Sequence, residues 1–157
     1  MPDDLPLNYW DSCVFLSYIN GIADRLRDID ALLERSGKDC QIITSTVTIV
    51  EVAFGKVEQD RGELDEETGV KIAGLWASDS PVKVVEFFPA LGEAARDLIR
   101  KALPSGISLK PMDAIHLATA LHMRAVAFHT YDDRLPKFAE VLGIPIGPPL
   151  ASAPKLL

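Results

Sequence analysis

Residues 111–135 read PMDAIHLATALHMRAVAFHTYDDRL. Ala114, Leu117, Ala118 and Leu121 recur at the i, i+3, i+4, i+7 spacing of one helical face, and Pro111 suits a first turn, where the missing N–H has no partner to lose. AVAFH, at 125–129, then predicts a strand, and TYDD the turn that leaves it. A helix that runs within a few residues into a strand is half of a βαβ crossover. An acid opens this helix at Asp113, and another, Asp132, stands just past the strand.

The same alternation extends outward in both directions. Downstream, RLPKFAEVL predicts a short helix, Gly143 its stop, and Ile144 and Ile146 a last strand. Upstream, Pro89 opens a helix that runs to Leu103 and is closed by Pro104, Ser105 and Gly106, and VKVVEFF before it predicts a strand. At the beginning, Leu7, Tyr9 and Trp10 read as a strand that ends at Asp11 and passes into the helix SCVFLSYI, with Val14, Phe15 and Ile19 on one face. Ile22, Leu26, Ile29 and Leu33 mark a second helix, stopped near Gly37. QIIT is a short strand opening into STVTIVEVAFGKVE, a helix capped by Ser45 or Thr46 with Val47, Val50, Phe54 and Val57 along one face. EQDRGELDEE, at 58–67, reads as a solvated loop and helix start, continued by Val70, Ala73 and Trp76 or Ala77. Strand and helix in alternation predict an α/β fold, because parallel strands need crossovers and those crossovers cover both faces of the sheet.

The chain has 157 residues, 48% of them hydrophobic and 25% charged, so it suits one compact domain and excludes a disordered or fibrous chain. We place that domain at 1–146 and leave a Pro-rich tail at 147–157 unstructured. Sixteen Lys and Arg against 23 Asp and Glu give a net charge of −7, which excludes nucleic-acid binding through a broadly basic surface. Any such contact must be local or metal-assisted. The apolar runs fall short of the roughly 18 to 20 residues of a bilayer span, and the start MPDDLP lacks a basic signal region, so a cytoplasmic location without membrane contact is expected. Cys13 and Cys40 form no CxxC pair and have no His cluster beside them, which points to reduced, buried thiols and away from zinc.

In open parallel sheets chemistry gathers at the carboxyl ends of the strands. Asp11, Glu51, Asp113 and Asp132 all occupy places consistent with that edge. Singly, each has a plainer role as a cap, a first-turn charge, a turn residue or a solvated side chain. Brought together, each adjacent pair would repel by about 4 kcal/mol at an effective dielectric near 20, and a divalent cation supplies the compensation. Hard Mg²⁺ or Mn²⁺ prefers carboxylate oxygens.

YWDSCVF, TSTVTIVEV, MDAIHLATAL and HTYDDRL resemble, in order and spacing, the motif blocks of PIN-domain ribonucleases, above all the VapC-like toxins of toxin–antitoxin pairs. The resemblance spans roughly 7–146. It implies a five-stranded parallel α/β/α sandwich, a Mg²⁺- or Mn²⁺-dependent endoribonuclease acting on RNA, and an antitoxin partner that blocks the site; a homodimer is left open. Carried over, the family's acids fall on Asp11, Glu51, Asp113 and Asp132, with Asp11, Asp113 and Asp132 as metal ligands and Thr130 in support; Ser12 either supports them by polarising a ligand or only caps the helix. Cys13 stands where Asn or Ser is common, which puts one supporting hydrogen bond in question, and Asp133 competes with Asp132 to face the metal.

Arg134, Lys137 and Lys110 are candidates to hold RNA phosphates, and Ile19 and Ile22 to meet the antitoxin. His116, one turn from Asp113, either touches the scissile phosphate or packs and hydrogen-bonds; the second role is commoner. Trp10 and Trp76 are expected in the core rather than stacked on bases. Two other classes compete. A haloacid-dehalogenase-like phosphatase needs a second aspartate where Cys13 stands, and a non-catalytic interaction module should have lost acids that are all present.

Overall fold

The computed structural model describes residues 4–151. In chain order the elements are β1 (Leu7–Trp10), α1 (Ser12–Ile19), α2 (Ala23–Arg35), β2 (Gln41–Ser45), α3 (Thr46–Glu51), α4 (Lys56–Arg61) and α5 (Glu66–Leu75). There follow β3 (Val82–Val85), α6 (Pro89–Ala102), α7 (Pro111–His122), β4 (Ala127–His129), α8 (Ala139–Leu142) and β5 (Ile146–Gly147). The five strands form one parallel sheet in the order β3-β2-β1-β4-β5. The expected α/β sandwich is therefore present, with β1 at its centre.

Side chains alternate across a strand, so each central strand feeds both cores. Tyr9 packs with Ile43, Leu117 and Phe128 on the side of α6 and α7; Trp10 packs with Val14, Phe15, Ile29 and Ile42 on the side of α1 and α2. Trp10 and Trp76 lie in this second cluster, as expected of core residues. Ile19 belongs to it too and is buried, so it offers no partner contact, whereas Ile22 is exposed.

The stretch after β2 departs most from expectation. Ser45 caps α3 by accepting from the Val47 N–H, and Thr44 Oγ1, which donates to the Trp10 carbonyl at 2.7 Å, also bonds Thr48 Oγ1. The helix then ends at Glu51 instead of running on, because TVTIVEV is rich in β-branched residues of low helix propensity. Its buried side is Thr48 and Val52, while Val50 is 76% exposed and Phe54 and Val57 also face solvent. The predicted apolar face is thus an outer surface. Gly55 makes the turn: a Cβ there would lie 2.8 Å from Thr68 Cγ2, so only glycine lets α5 approach this closely.

Residues 58–67 are not uniformly solvated. Glu58 is 5% exposed, and its carboxylate accepts the Gly55 N–H at 3.1 Å and the Asp65 N–H at 2.9 Å, tying together the two ends of the α4 excursion. In α5, Val70 is exposed and Leu75 is buried, so the inward face is rotated from the one predicted. Past β5, Pro149 is buried and the Ala151 N–H donates to Asp28 Oδ1 at 3.1 Å. The remainder of the expected tail, 152–157, lies outside the described residues, and no helix within them is long and apolar enough to cross a membrane.

Glu58→Ala would strand two backbone donors, that of Gly55 buried and that of Asp65 partly so, and hydrogen bonds to a charged group carry about 1.5–3 kcal/mol. Chemical denaturation should show a loss of roughly that size, against a change within about 0.5 kcal/mol for the exposed Glu63→Ala. Equal effects from the two would contradict the role given to Glu58.

Candidate active site

The site grows from the carboxyl end of β1. Asp11 follows Trp10 with its backbone still extended, its N–H continuing the ladder to the His129 carbonyl at 3.3 Å, and it occupies the N-cap position of α1. Its carboxylate is only 5% exposed. Burial, the largest influence, holds the Asp11 carboxyl above the usual carboxylate range; hydrogen bonds, that of Cys13 first, offset part of this.

Cys13 supplies the bond that its sequence position put in question. Its Sγ donates to Asp11 Oδ1 at 2.8 Å, accepts from the Tyr131 N–H at 3.1 Å and lies 3.2 Å from Thr130 Oγ1. Burial and the neighbouring Asp11 push the thiol up to about 12, so near neutrality it keeps the proton it donates. Thr130 is buried and accepts the Asp132 N–H at 3.0 Å. One chain of contacts therefore links the end of β1 to the turn after β4.

Asp113, the third residue of α7, is half-buried; desolvation and then the charge of Asp132 raise its pKa. Asp132, rather than the exposed Asp133, is the acid whose charge acts on it. Arg134 grips Asp132 with two bonds, Nε to Oδ1 at 2.9 Å and Nη2 to Oδ2 at 2.6 Å, and this holds the Asp132 carboxyl below its ordinary value. Arg134 is thus paired with Asp132 while its own side chain stays exposed at the rim of the acid group. Lys110 lowers both Asp113 and Asp132, and Lys137 lies over the Phe138 ring.

Glu51, the last residue of α3, turns to His116: Nε2 and Oε1 are 2.5 Å apart, while the other ring nitrogen, Nδ1, is 2.6 Å from the Tyr9 hydroxyl. His116 is buried and so is not in a position to meet a phosphate directly. Tyr9 was legible only as a core residue, yet it lies two residues before Asp11 and so on the same side of the strand, a spacing that marks it as a neighbour of the acids. Of the other histidines, His129 accepts from Trp10 Nε1 at 2.9 Å and is driven by burial down to about 4, and His122 packs edge-on against Phe88.

Asp11, Asp113 and Asp132 form an electrostatically coupled row, with Glu51 reaching the same neighbourhood beside Tyr9. Carboxylate oxygens from separate elements are the donor chemistry of Mg²⁺ or Mn²⁺. Among the described residues, no three acidic, histidine or cysteine side chains are gathered closely enough to hold a metal ion between them, since Asp132 is turned to Arg134 and Glu51 to His116.

Residues 9–141 match the family model described as PIN domain. No curated protein matches the chain. Among solved structures, a chain of VapBC2 from Rickettsia felis, bound to a promoter DNA fragment, is 15% identical, with 89% of this chain and 96% of that one covered and a TM-score of 0.67. VapC20 of Mycobacterium tuberculosis, described as a Sarcin-Ricin loop cleaving toxin, is 16% identical over 80% and 90%, with a TM-score of 0.61. VapBC-1 from nontypeable Haemophilus influenzae is 14% identical over 90% and 97%, with a TM-score of 0.64. At these identities the likeness is one of fold.

The buried Asp11 makes stability depend on pH in a definite sense. Its folded pKa lies above the unfolded one, so the folded state binds more protons between the two, and its contribution worsens as pH rises from about 4 through the folded value. Asp11→Asn keeps an acceptor for the Cys13 thiol and removes the charge. Thermal unfolding should show the variant more stable than the parent at neutral pH, with the gap closing on acidification; a gap independent of pH would contradict this.

Proposed function

Because the chain belongs to the PIN-domain family, we propose that it is a metal-dependent endoribonuclease and the toxin of a toxin–antitoxin pair acting in the cytoplasm. The observation that carries this reading is the row of coupled carboxylates, Asp11, Asp113 and Asp132, at the carboxyl edge of β1 and β4. These three would hold Mg²⁺ or Mn²⁺ once Asp132 turns from Arg134 toward the other two, with Glu51 ligating directly or through water. When bound, the cation would lower the pKa of a water and neutralise phosphate oxygens during in-line attack. Cys13 and Thr130 keep the first and last acids in register, and Ser12 stands at the start of α1 beside them. Arg134 places a forked guanidinium at the rim, a shape matched to phosphate. The description of the Mycobacterium tuberculosis neighbour as a loop-cleaving toxin supports RNA as substrate.

A protein partner is supported by the outer surface that replaces the predicted apolar face. Val50, Phe54, Val57 and Leu64 are exposed, and Phe54 and Leu64 line a surface cavity of about 270 Å³ with Glu58, Gln59, Gly62 and Glu63. Apolar surface ringed by polar residues is what a docking segment covers. All four acids being present favours the enzyme over an interaction module.

Purified protein given mixed tRNA, rRNA and mRNA should cut RNA with Mn²⁺ or Mg²⁺, stop in chelator, and leave 5′-phosphate and 3′-hydroxyl ends. Asp113→Asn should remain folded and lose cleavage. A folded Asp113→Asn protein cutting at the parental rate, or chelator-resistant cleavage leaving a 2′,3′-cyclic phosphate, would overturn the metal mechanism.

In cells, expression should arrest growth and co-expression of the adjacent small open reading frame should restore it. Phe54→Asp with Leu64→Asp should weaken that rescue while leaving arrest intact. Undiminished rescue would place the partner elsewhere.

A further inference from the structure

Tyr9, His116 and Glu51 form a buried line from β1 through α7 to α3, with contacts of 2.6 Å and 2.5 Å at the two ring nitrogens. Both nitrogens of this buried imidazole are satisfied, and one of the two partners is an acid of the site. The Tyr9 hydroxyl, a donor within reach of Nδ1, is placed to donate to it. With Nδ1 accepting from the phenol, Nε2 is the nitrogen that donates, and it is aimed at Glu51 Oε1.

Glu51 needs such an anchor. It ends a six-residue helix, where the helix dipole disfavours an anion, and its side chain, 24% exposed, has rotamer freedom to lose. The anchor is rigid at its other end: Tyr9 stacks on Phe128 with ring centroids 5.2 Å apart and lies two residues before Asp11, and His116 lies one helical turn after Asp113. The parts that fix Glu51 are thus carried by the same strand and helix that carry Asp11 and Asp113.

We propose that His116, oriented by Tyr9, is a positioning residue that commits Glu51 Oε1 to the imidazole and presents Oε2 toward the acid row. This rests on the reading of Glu51 as a functional acid. A hydrogen-bonding partner that orients a metal-binding carboxylate in this way is worth about 10- to 100-fold in metal affinity or activity.

The test uses the full chain and its variants His116→Ala, His116→Gln, Tyr9→Phe, Glu51→Gln and the double variant Glu51→Gln/His116→Ala. Cleavage of mixed tRNA gives kcat and KM, Mn²⁺ titration without RNA gives affinity, and thermal unfolding monitors the fold. His116→Ala should lower kcat about tenfold with KM within roughly twofold. It should weaken Mn²⁺ binding as Glu51→Gln does and add nothing further in the Glu51→Gln background. His116→Gln, whose amide can still donate, should recover part of the loss, and Tyr9→Phe should fall between. Independent losses from the two sites, or losses that only track unfolding and are not rescued by Gln, overturn the proposal while leaving the nuclease reading intact. If the parent cuts no RNA yet the Mn²⁺ affinities show the same non-additivity, positioning is supported and the nuclease reading falls.

Discussion

Burial of one carboxylate, that of Asp11 at the end of the central strand, is the constraint around which the rest of this edge is arranged. Desolvation works against its charge, and the charge of Asp113 adds to the cost. Against it stand a thiol proton from Cys13 and the contacts of Thr130 with that same thiol. At an effective dielectric near 20, neighbouring carboxylates repel by about 3–4 kcal/mol, while a hydrogen bond to a charged group returns about 1.5–3. The two are of one order, and three of the four acids carry a partner of their own: Cys13 for Asp11, His116 for Glu51, Arg134 for Asp132.

Topology brings the acids to one edge at no separate cost. β1 lies between β2 and β4, so whatever follows those strands follows it at the same end of the sheet. Asp11, the helix from Ser45 to Glu51 and the turn from Thr130 to Arg134 are three such continuations. Only Asp113 arrives differently, on a helix start, and its half-burial against Asp132 places it last in the row. The Tyr9 and Trp10 side chains, alternating across β1, bind that edge to both cores.

Alternation of strand and helix was legible because it rests on hydrophobic period and turn residues, both local. Asp11, Glu51, Thr130 and Asp132 were legible as positions after strands, and Asp113 as the opening of a helix. What sequence could not supply was direction. The β-branched run 46–52 has helical spacing, but its low propensity ends α3 at Glu51 and turns Val50, Phe54 and Val57 outward. Glu58 hid in a run of charged and polar neighbours because its partners are backbone N–H groups that no side-chain pattern reveals. Ile19 sits at the end of a helix whose polar cap reads as surface, yet it packs under α2. Arg134 was read by charge alone as a phosphate contact; its bidentate grip on Asp132 depends on a turn geometry visible only in three dimensions.

The central claim is that this row of acids is a divalent-cation site, and the most direct measurement is anomalous diffraction from crystals soaked in Mn²⁺. The account predicts a peak within ligand distance of the Asp11 and Asp113 carboxylates, absent from Asp11→Asn crystals soaked identically. Mn²⁺ bound only elsewhere on the surface, with the Asp11–Asp113 edge empty at saturating Mn²⁺, would contradict it.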